Sequence, residues 1–291
     1  MRILILGAGG MMGHKLMQLL SAQHEVTGTV RGSALSYERF DILDTSRLVG
    51  GMDVNDFEKV IKIVSQVNPQ FIVNCVGIIK QLEAANDPLV SISINSLFPH
   101  KLANLSRACG IRMIHISTDC VFSGRKGMYQ ESDISDAEDL YGRSKYLGEV
   151  SGENCLTLRT SIIGRELQTS FGLVEWFLQK GHDHVQGYRE AIYTGLTTVE
   201  LARVIQSVME MRPQLTGVYH VSSDPINKYD LLCLLRDCFS LSAEISPVEE
   251  PKIDRSLDSA RFRKEINYFP PTWPEMIKEM TEDRTVCLSK H

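Results

Sequence analysis

The run Arg2-Ile-Leu-Ile-Leu6, followed without a break by Gly7-Ala-Gly-Gly-Met-Met-Gly13, leaves this chain the fewest choices. A short apolar stretch with no polar alternation suits a strand buried on both faces, as in a parallel sheet. His14 to Gln23 then reads as a helix. Strand, glycine turn and helix in immediate succession form the context in which glycines carry a specific chemistry. Gly7 permits the tight turn, Gly10 lets a pyrophosphate approach the backbone, and Gly13 lets the helix press against the strand. The helix N-terminus then faces the phosphates. Met11 and Met12, inside the turn, are expected to pack against the cofactor or the first strand. The spacing is Gly-x-x-Gly-x-x-Gly, not Gly-x-Gly-x-x-Gly, and a purely structural turn is the alternative.

The alternation continues. Glu25 to Val30 is the expected second strand, and it ends in Arg31 instead of the Asp or Glu that would bond an adenosine ribose. An Arg there suits a 2′-phosphate and favours NADPH, with NADH possible; a plain exposed arginine is the other reading. Phe40 to Asp44 is expected to end a third strand, with Asp41 facing the adenine. Asn55 to Val67 has helical periodicity with an Asn cap and stops at Asn68-Pro69. Phe71 to Cys75 is another buried strand, running into Asn74, Cys75, Val76 and Gly77, where the glycine suits backbone pressed against a ligand. Pro88 to Cys109 is mostly helical, with Pro99 marking a break or a new start. Arg112 to Ser117 is the next strand, with Thr118 at its carboxyl end, the ligand-binding edge of an open parallel sheet.

Asp119 to Asp139 reads as a loop, Leu140 to Gly152 as a helix and Cys155 to Arg159 as a further strand. The class implied is α/β, a doubly wound parallel sheet of the Rossmann type. Residues 1–160 are expected to form the NADP(H)-binding domain with the catalytic residues. Residues 161–291 are expected to form a smaller, interleaved substrate lobe. There, helices are expected near Phe171–Lys180, Val199–Arg212, Lys228–Phe239 and Trp273–Met280, with a strand at Gly217–Val221.

Within that frame, Tyr141-Gly-Arg-Ser-Lys145 carries the chemistry. Tyr and Lys four apart share one side of a helical turn. A neighbouring ammonium favours the phenolate and lowers the phenol pKa from about 10. A tyrosine tuned this way passes a proton to or from a carbonyl or alcohol oxygen, which Thr118 is placed to hold. The motif alone recurs by chance on solvated helix faces.

Composition excludes several classes. The 291 residues are 43% hydrophobic and 23% charged with a net charge of −5 and no long basic run, which argues against nucleic-acid or anionic-membrane partners. Seven scattered cysteines without a Cys-x-x-Cys pair read as reduced thiols of a cytoplasmic protein. No apolar run has the length of a membrane span. His182-Asp-His184 offers too few ligands for a metal, so none is expected. Cys120 has no sequence-adjacent histidine base and reads as a small substrate-wall residue, not a nucleophile.

Taken together, Gly7-x-x-Gly10-x-x-Gly13, Asn74-Cys-Val-Gly77, Ser117-Thr-Asp-Cys-Val-Phe122 and Tyr141-Gly-Arg-Ser-Lys145 resemble the extended short-chain dehydrogenase/reductases. Ser117-Thr-Asp-x-Val-Phe, the helix ending in Gly148-Glu149, and Leu158-Arg-Thr-Ser161 look specifically like the dTDP-4-dehydrorhamnose reductase family. The resemblance is strong through Arg159 and weaker beyond, where Gly217-Val-Tyr-His-Val221 and Arg255-Ser-Leu-Asp258 are still similar. It implies reduction of the 4-keto group of a nucleotide-linked 6-deoxyhexose, dTDP- or UDP-linked, by NADPH or NADH. Thr118 would hold the substrate oxygen, Tyr141 would donate the proton, and Lys145 would bind ribose. Gly10, Met11 and Met12 would meet the pyrophosphate, Asp41 and Ile42 the adenine. Asn74 to Gly77 and Ser117 would line the cofactor; Asp119, Cys120, Ile162 and Arg255 would line the substrate. A homodimer is a further expectation.

Two departures fall on the substrate side. Cys120 stands where the family usually has Tyr, and Ile162 where it has a Trp packed on the sugar. The implied pocket admits a bulkier or differently substituted sugar, such as a UDP-linked N-acetyl form. Two rival functions share the fold: a nucleotide-sugar epimerase or dehydratase that recycles its cofactor, and a non-catalytic NADP-binding regulatory subunit. Asp119 lacks the adjacent Glu usual in dehydratases, and the joint presence of Thr118, Tyr141 and Lys145 argues against the subunit.

Overall fold

The computed structural model describes residues 1–180 and 183–283. In chain order the elements are β1 (Arg2–Leu6), α1 (Met11–Leu20), β2 (Glu25–Thr29), β3 (Leu48–Val49), α2 (Phe57–Val67), β4 (Phe71–Asn74), α3 (Pro88–Ser91), α4 (Phe98–Ala108), β5 (Arg112–Thr118), α5 (Leu140–Leu147) and β6 (Cys155–Thr160). Then come β7 (Ile162–Ile163), α6 (Leu173–Gln179), β8 (His184–Tyr188), β9 (Ala191–Tyr193), β10 (Leu196–Thr197), α7 (Thr198–Met211), β11 (Gly217–His220), β12 (Ile226–Asn227), α8 (Lys228–Cys238), β13 (Glu244–Val248), β14 (Ile253–Asp254), α9 (Ala260–Ile266) and α10 (Trp273–Glu282). Seven strands form one sheet in the order β11-β6-β5-β4-β1-β2-β3. Every pairing in it is parallel. This is the doubly wound architecture that the strand–helix alternation implies.

β1 shows why. Ile3 and Ile5 enter the core shared with α1, α7 and α8, while Leu4 and Leu6 enter the core shared with α2 and α4. All four are fully buried, so each face of the pleat meets a helix layer and no polar alternation is tolerated. The strand order turns outward on either side of β1 and β4, which places the ligand crevice at their carboxyl ends. β11, from the last third of the chain, supplies the outermost strand beside β6, while α7 lies against α1. Three small sheets, β10-β7, β12-β9-β14 and β13-β8, are built from the chain that follows β6.

Some expectations change. Phe40 to Asp44 is not a strand: Phe40 and Leu43 are buried from irregular backbone, and Asp44 caps a 3₁₀ turn at Thr45–Arg47 through the Ser46 amide. The third strand is the two-residue β3. Asp56, not Asn55, caps α2, accepting from the Lys59 amide at 3.2 Å; Asn68 ends it in the left-handed conformation. Pro99 falls in the first turn of α4, which begins at Phe98, so the new helical start is observed; just before it the segment widens into a π-turn over Ile92–Leu97. Pro99 has no N–H to give the Asn95 carbonyl four residues back, so the helix is released from its regular ladder there. α5 is shorter than expected, ending at Leu147 with Gly148 as its C-cap. His182 lies outside the described residues. No helix among the described residues is long and apolar enough to cross a membrane.

Candidate active site

At the end of β1, Gly7 takes φ +83°, and the Gly10 amide donates to its carbonyl at 3.1 Å, closing the turn. Gly13 sits so close to this turn that a Cβ would lie 2.8 Å from the Ala8 Cα. α1 starts at Met11 with Gly10 as its N-cap, no capping side chain and no acid in its first turn. Its first amides therefore have no internal acceptor, the arrangement that a pyrophosphate satisfies. These residues fit a dinucleotide.

Tyr37 closes over the glycine turn. Its ring packs so tightly on the turn that a Cβ at Gly9 would fall 2.6 Å from Cζ. Arg31 and Arg39 both lie near this phenol, counteracting the upward pKa push of its burial. Arg31 is exposed at the carboxyl end of β2, and the Arg39 guanidinium covers the Phe40 ring at 4.9 Å. Asp41 is exposed and Ile42 half-buried in the turn that follows.

After β4, Asn74 is fully buried and its amide is spent inside the protein, on the Val76 amide and on His115, both at 3.1 Å. Its side chain shapes the loop. The Cys75 thiol is pushed up to about 12 by burial and stays protonated. Gly77 lies between the Asn95 amide and Lys145. Asn95, from the π-turn, holds Ile78 at both N–H (2.9 Å) and C=O (3.2 Å) and donates to Ser144 Oγ at 3.2 Å. The Ser96 hydroxyl donates to the Ser144 carbonyl at 2.7 Å. The irregular helix thus fastens the cofactor-side loop to α5.

α5 carries Tyr141 and Lys145. Asp139 caps it, accepting from the Gly142 amide at 2.7 Å, and is itself paired with Lys80 at 2.6 Å. Gly142 lets α5 press onto the chain after β5, since a Cβ there would collide with the Cys120 carbonyl. The phenol of Tyr141 is thereby brought to the Thr118 hydroxyl, with Cys120 and Asp119 beside it. Burial, reinforced by those two neighbours, pushes Tyr141 above its ordinary range. This differs from the expectation of a phenol lowered by Lys145. Burial outweighs any such help, and the ammonium donates to the Ile116 carbonyl at 2.7 Å. Lys145 itself falls from 10.5 to about 8, desolvation outweighing the attraction of Glu149 and Cys75.

Behind this pair, Glu149 accepts two bonds from Arg159, both at 2.7 Å, and one from the Ser117 hydroxyl at 2.7 Å. Ser117 therefore points its side chain into a buried ionic cluster.

Asp119, Cys120 and Arg255 lie near one another at the carboxyl end of β5, where the substrate is expected. Asp119 is buried; desolvation raises its pKa against the pull of Arg255 and bonds from the Cys120, Thr118 and Ser161 side chains. The Cys120 thiol is pushed up to about 12, chiefly by burial, which removes it as a nucleophile at neutral pH. Arg255 donates to the Phe122 carbonyl at 2.8 Å. Ile162, half-buried, pairs with Leu196 across β7 and β10. Asn95, Tyr193 and Tyr37 join the site unannounced by sequence, and Ser161 was marked only as the end of the Leu158–Ser161 motif; Asn95 carried a signal in lying four residues before a helical proline. Among the described residues no cluster of acidic, histidine and cysteine side chains suits a metal ion.

The family model for the RmlD substrate binding domain matches residues 1–286. The chain belongs to this RmlD family. Its relatives include dTDP-4-dehydrorhamnose reductase from Aggregatibacter actinomycetemcomitans, 27% identical, with 81% of this chain and 78% of that protein covered. They also include methionine adenosyltransferase 2 subunit beta from Bos taurus, 26% identical, with 87% and 76% covered. Among solved structures, a hypothetical dTDP-4-dehydrorhamnose reductase from Sulfolobus tokodaii has TM-score 0.79 and 27% identity, covering 94% of this chain and 98% of that one. The Bacillus anthracis dTDP-4-dehydrorhamnose reductase in complex with NADP has TM-score 0.80 at 19% identity, covering 96% and 98%. That pair shares the fold.

Proposed function

We propose that this RmlD-family protein is an NAD(P)H-dependent oxidoreductase that reduces the 4-keto group of a nucleotide-linked 4-keto-6-deoxyhexose. The observation that carries it is the contact between the Tyr141 phenol and the Thr118 hydroxyl at the carboxyl edge of the sheet, with Lys145 one turn along α5. The uncapped α1 N-terminus and Arg31 would hold the dinucleotide, and structures of the fold bound to NADP and to NAD support NADPH, with NADH as an alternative. When bound, the reduced nicotinamide supplies the hydride.

The chain's own residues do the rest. Thr118 holds the keto oxygen. Tyr141, kept protonated by its burial, gives that oxygen a proton as it gains charge. The Lys145 ammonium offsets the phenolate left behind. Asp119, Cys120, Ile162 and Arg255 border the sugar. Residues 161–291 form mainly the nucleotide-sugar lobe, with residues 1–160 binding the dinucleotide. The product serves deoxysugar or surface-polysaccharide biosynthesis in the cytoplasm, where reduced cysteines are at home.

The test is NADPH absorbance against a panel of dTDP-, UDP- and GDP-linked 4-keto-6-deoxysugars. Net consumption with one of them supports the reductase; turnover without consumption points to an epimerase or dehydratase. A second reading has its own support, since relatives named methionine adenosyltransferase 2 subunit beta cover most of this chain. Dinucleotide binding without turnover of any sugar would favour such a subunit.

A further inference from the structure

We infer that Tyr193 is a specificity-determining residue, whose hydroxyl bonds the substituent on the ring carbon next to the reacting carbonyl. This rests on the reductase reading above. Tyr193 ends β9 and sits far in sequence from every motif, yet its phenol lies beside Ser161, Asp119 and Cys120. Asp119 and Cys120 are the residues that also border Tyr141. The ring is fixed from behind. It leans on Trp273 with centroids 5.6 Å apart, and Trp273 is locked by its indole N–H to the Asp224 carbonyl at 2.8 Å. It also folds over Gly195, where any Cβ would collide with the phenol. Gly195 and Thr194 are pinned in turn by Ser223, which donates its hydroxyl to the Gly195 carbonyl at 2.6 Å and its amide to the Thr194 carbonyl at 2.9 Å.

Despite this fixed setting, the hydroxyl is buried with no hydrogen bond of good geometry among the described residues; the Ser161 side chain is the polar neighbour that comes near to one. A buried polar group left unpaired weakens a fold, so phenylalanine would be the better residue for stability alone. A tyrosine held rigidly in this position makes sense when the missing partner arrives with a ligand.

The ring geometry of the substrate narrows that partner. Thr118 and Tyr141 take the oxygen on carbon 4. Tyr193 borders their neighbours, Asp119 and Cys120, so it meets the next position along the ring. In a 4-keto-6-deoxyhexose, carbon 5 carries a methyl group and the ring oxygen, whereas carbon 3 carries a hydroxyl. The group for Tyr193 is therefore the 3-hydroxyl, with Ser161 as the flanking polar side chain. Ile162, which offers the sugar no aromatic face, leaves this bond as the orienting contact on that side.

The experiment is Tyr193→Phe, assayed by NADPH oxidation with a 4-keto-6-deoxysugar nucleotide and with its 3-deoxy analogue, alongside thermal unfolding without ligand. The expected result is a loss of kcat/KM of about tenfold to a hundredfold for the 3-hydroxy substrate, little change for the 3-deoxy analogue, and a Tm equal to or above wild type. Equal losses on both substrates, no loss on either, or a lowered Tm would overturn the inference. A lowered Tm would mean that the hydroxyl already has a protein partner. Wild type that oxidises no NADPH with either sugar would instead bring down the reductase reading beneath it.

Discussion

Lys145 offers a test in which the site's electrostatics oppose the fold's stability. Its ammonium is buried, and its pKa falls from 10.5 to about 8. At about 1.36 kcal/mol per unit, the charged form costs the folded state about 3 kcal/mol below pH 8. The sign follows from proton binding. Between the folded and unfolded pKa values the unfolded chain holds more protons, so stability rises as pH climbs from about 8 to 10.5. Lys145→Met removes that cost but also deletes the bond to the Ile116 carbonyl, about 1 kcal/mol. The mutant should be more stable than wild type by about 2 kcal/mol at pH 7. Near pH 10.5 the ammonium cost has vanished while the lost bond remains, and the order should reverse. Denaturant unfolding of both proteins across this range reads the difference, in which other titrating groups cancel. Wild-type kcat/KM should fall above pH 8 as the ammonium deprotonates, because Tyr141 keeps its proton well beyond that point. A mutant less stable at pH 7, or a gap that does not move with pH, would refute the account of Lys145 as a strained, functionally retained cation.

Tyr141→Phe deletes the proton donor and little else, so turnover should fall on the order of a hundredfold or more while cofactor titration stays near wild type. Arg31 is exposed, so a contact with a 2′-phosphate would be screened. Arg31→Ala should reduce the NADPH-over-NADH ratio of kcat/KM by about 1 kcal/mol, roughly fivefold, and an unchanged ratio would leave Arg31 an ordinary surface residue. Ile162→Trp fills the space beside the sugar and should shift preference toward substrates without a bulky carbon-2 group by about 1–3 kcal/mol in relative kcat/KM; equal effects on a pair differing only at carbon 2 would remove that role.

The sheet was legible because its strands are buried on both faces. β1 and β4 read as short apolar runs, and the helices before β4 and β5 end in local stops at Asn68 and Gly110. The glycine turn and the Tyr/Lys pair were legible because their geometry is local, closed within one turn of chain. Phe40 to Asp44 misled because buried side chains alone do not distinguish a strand from an irregular segment with internal caps. The helix cap slipped by one residue, from Asn55 to Asp56, since either side chain suits the position and only the Lys59 amide decides.

What the sequence hid is the second layer of the site, where one residue's chemistry depends on partners far along the chain. The phenol of Tyr141 illustrates this. A lysine four residues on suggests a lowered pKa, yet the enclosure built by Thr118, Asp119 and Cys120 raises it. No spacing rule carries the cost of removing water. A phenol raised by enclosure keeps its proton across the neutral range, as the proposed proton donor requires. Pro99 contributes at the same level: by withholding one N–H it opens the helix at Asn95, whose side chain then ties the Ile78 loop to Ser144 and so to the helix bearing Tyr141 and Lys145. Replacing Asn95 by Leu should therefore disturb both halves of the site from a position that touches neither reacting atom.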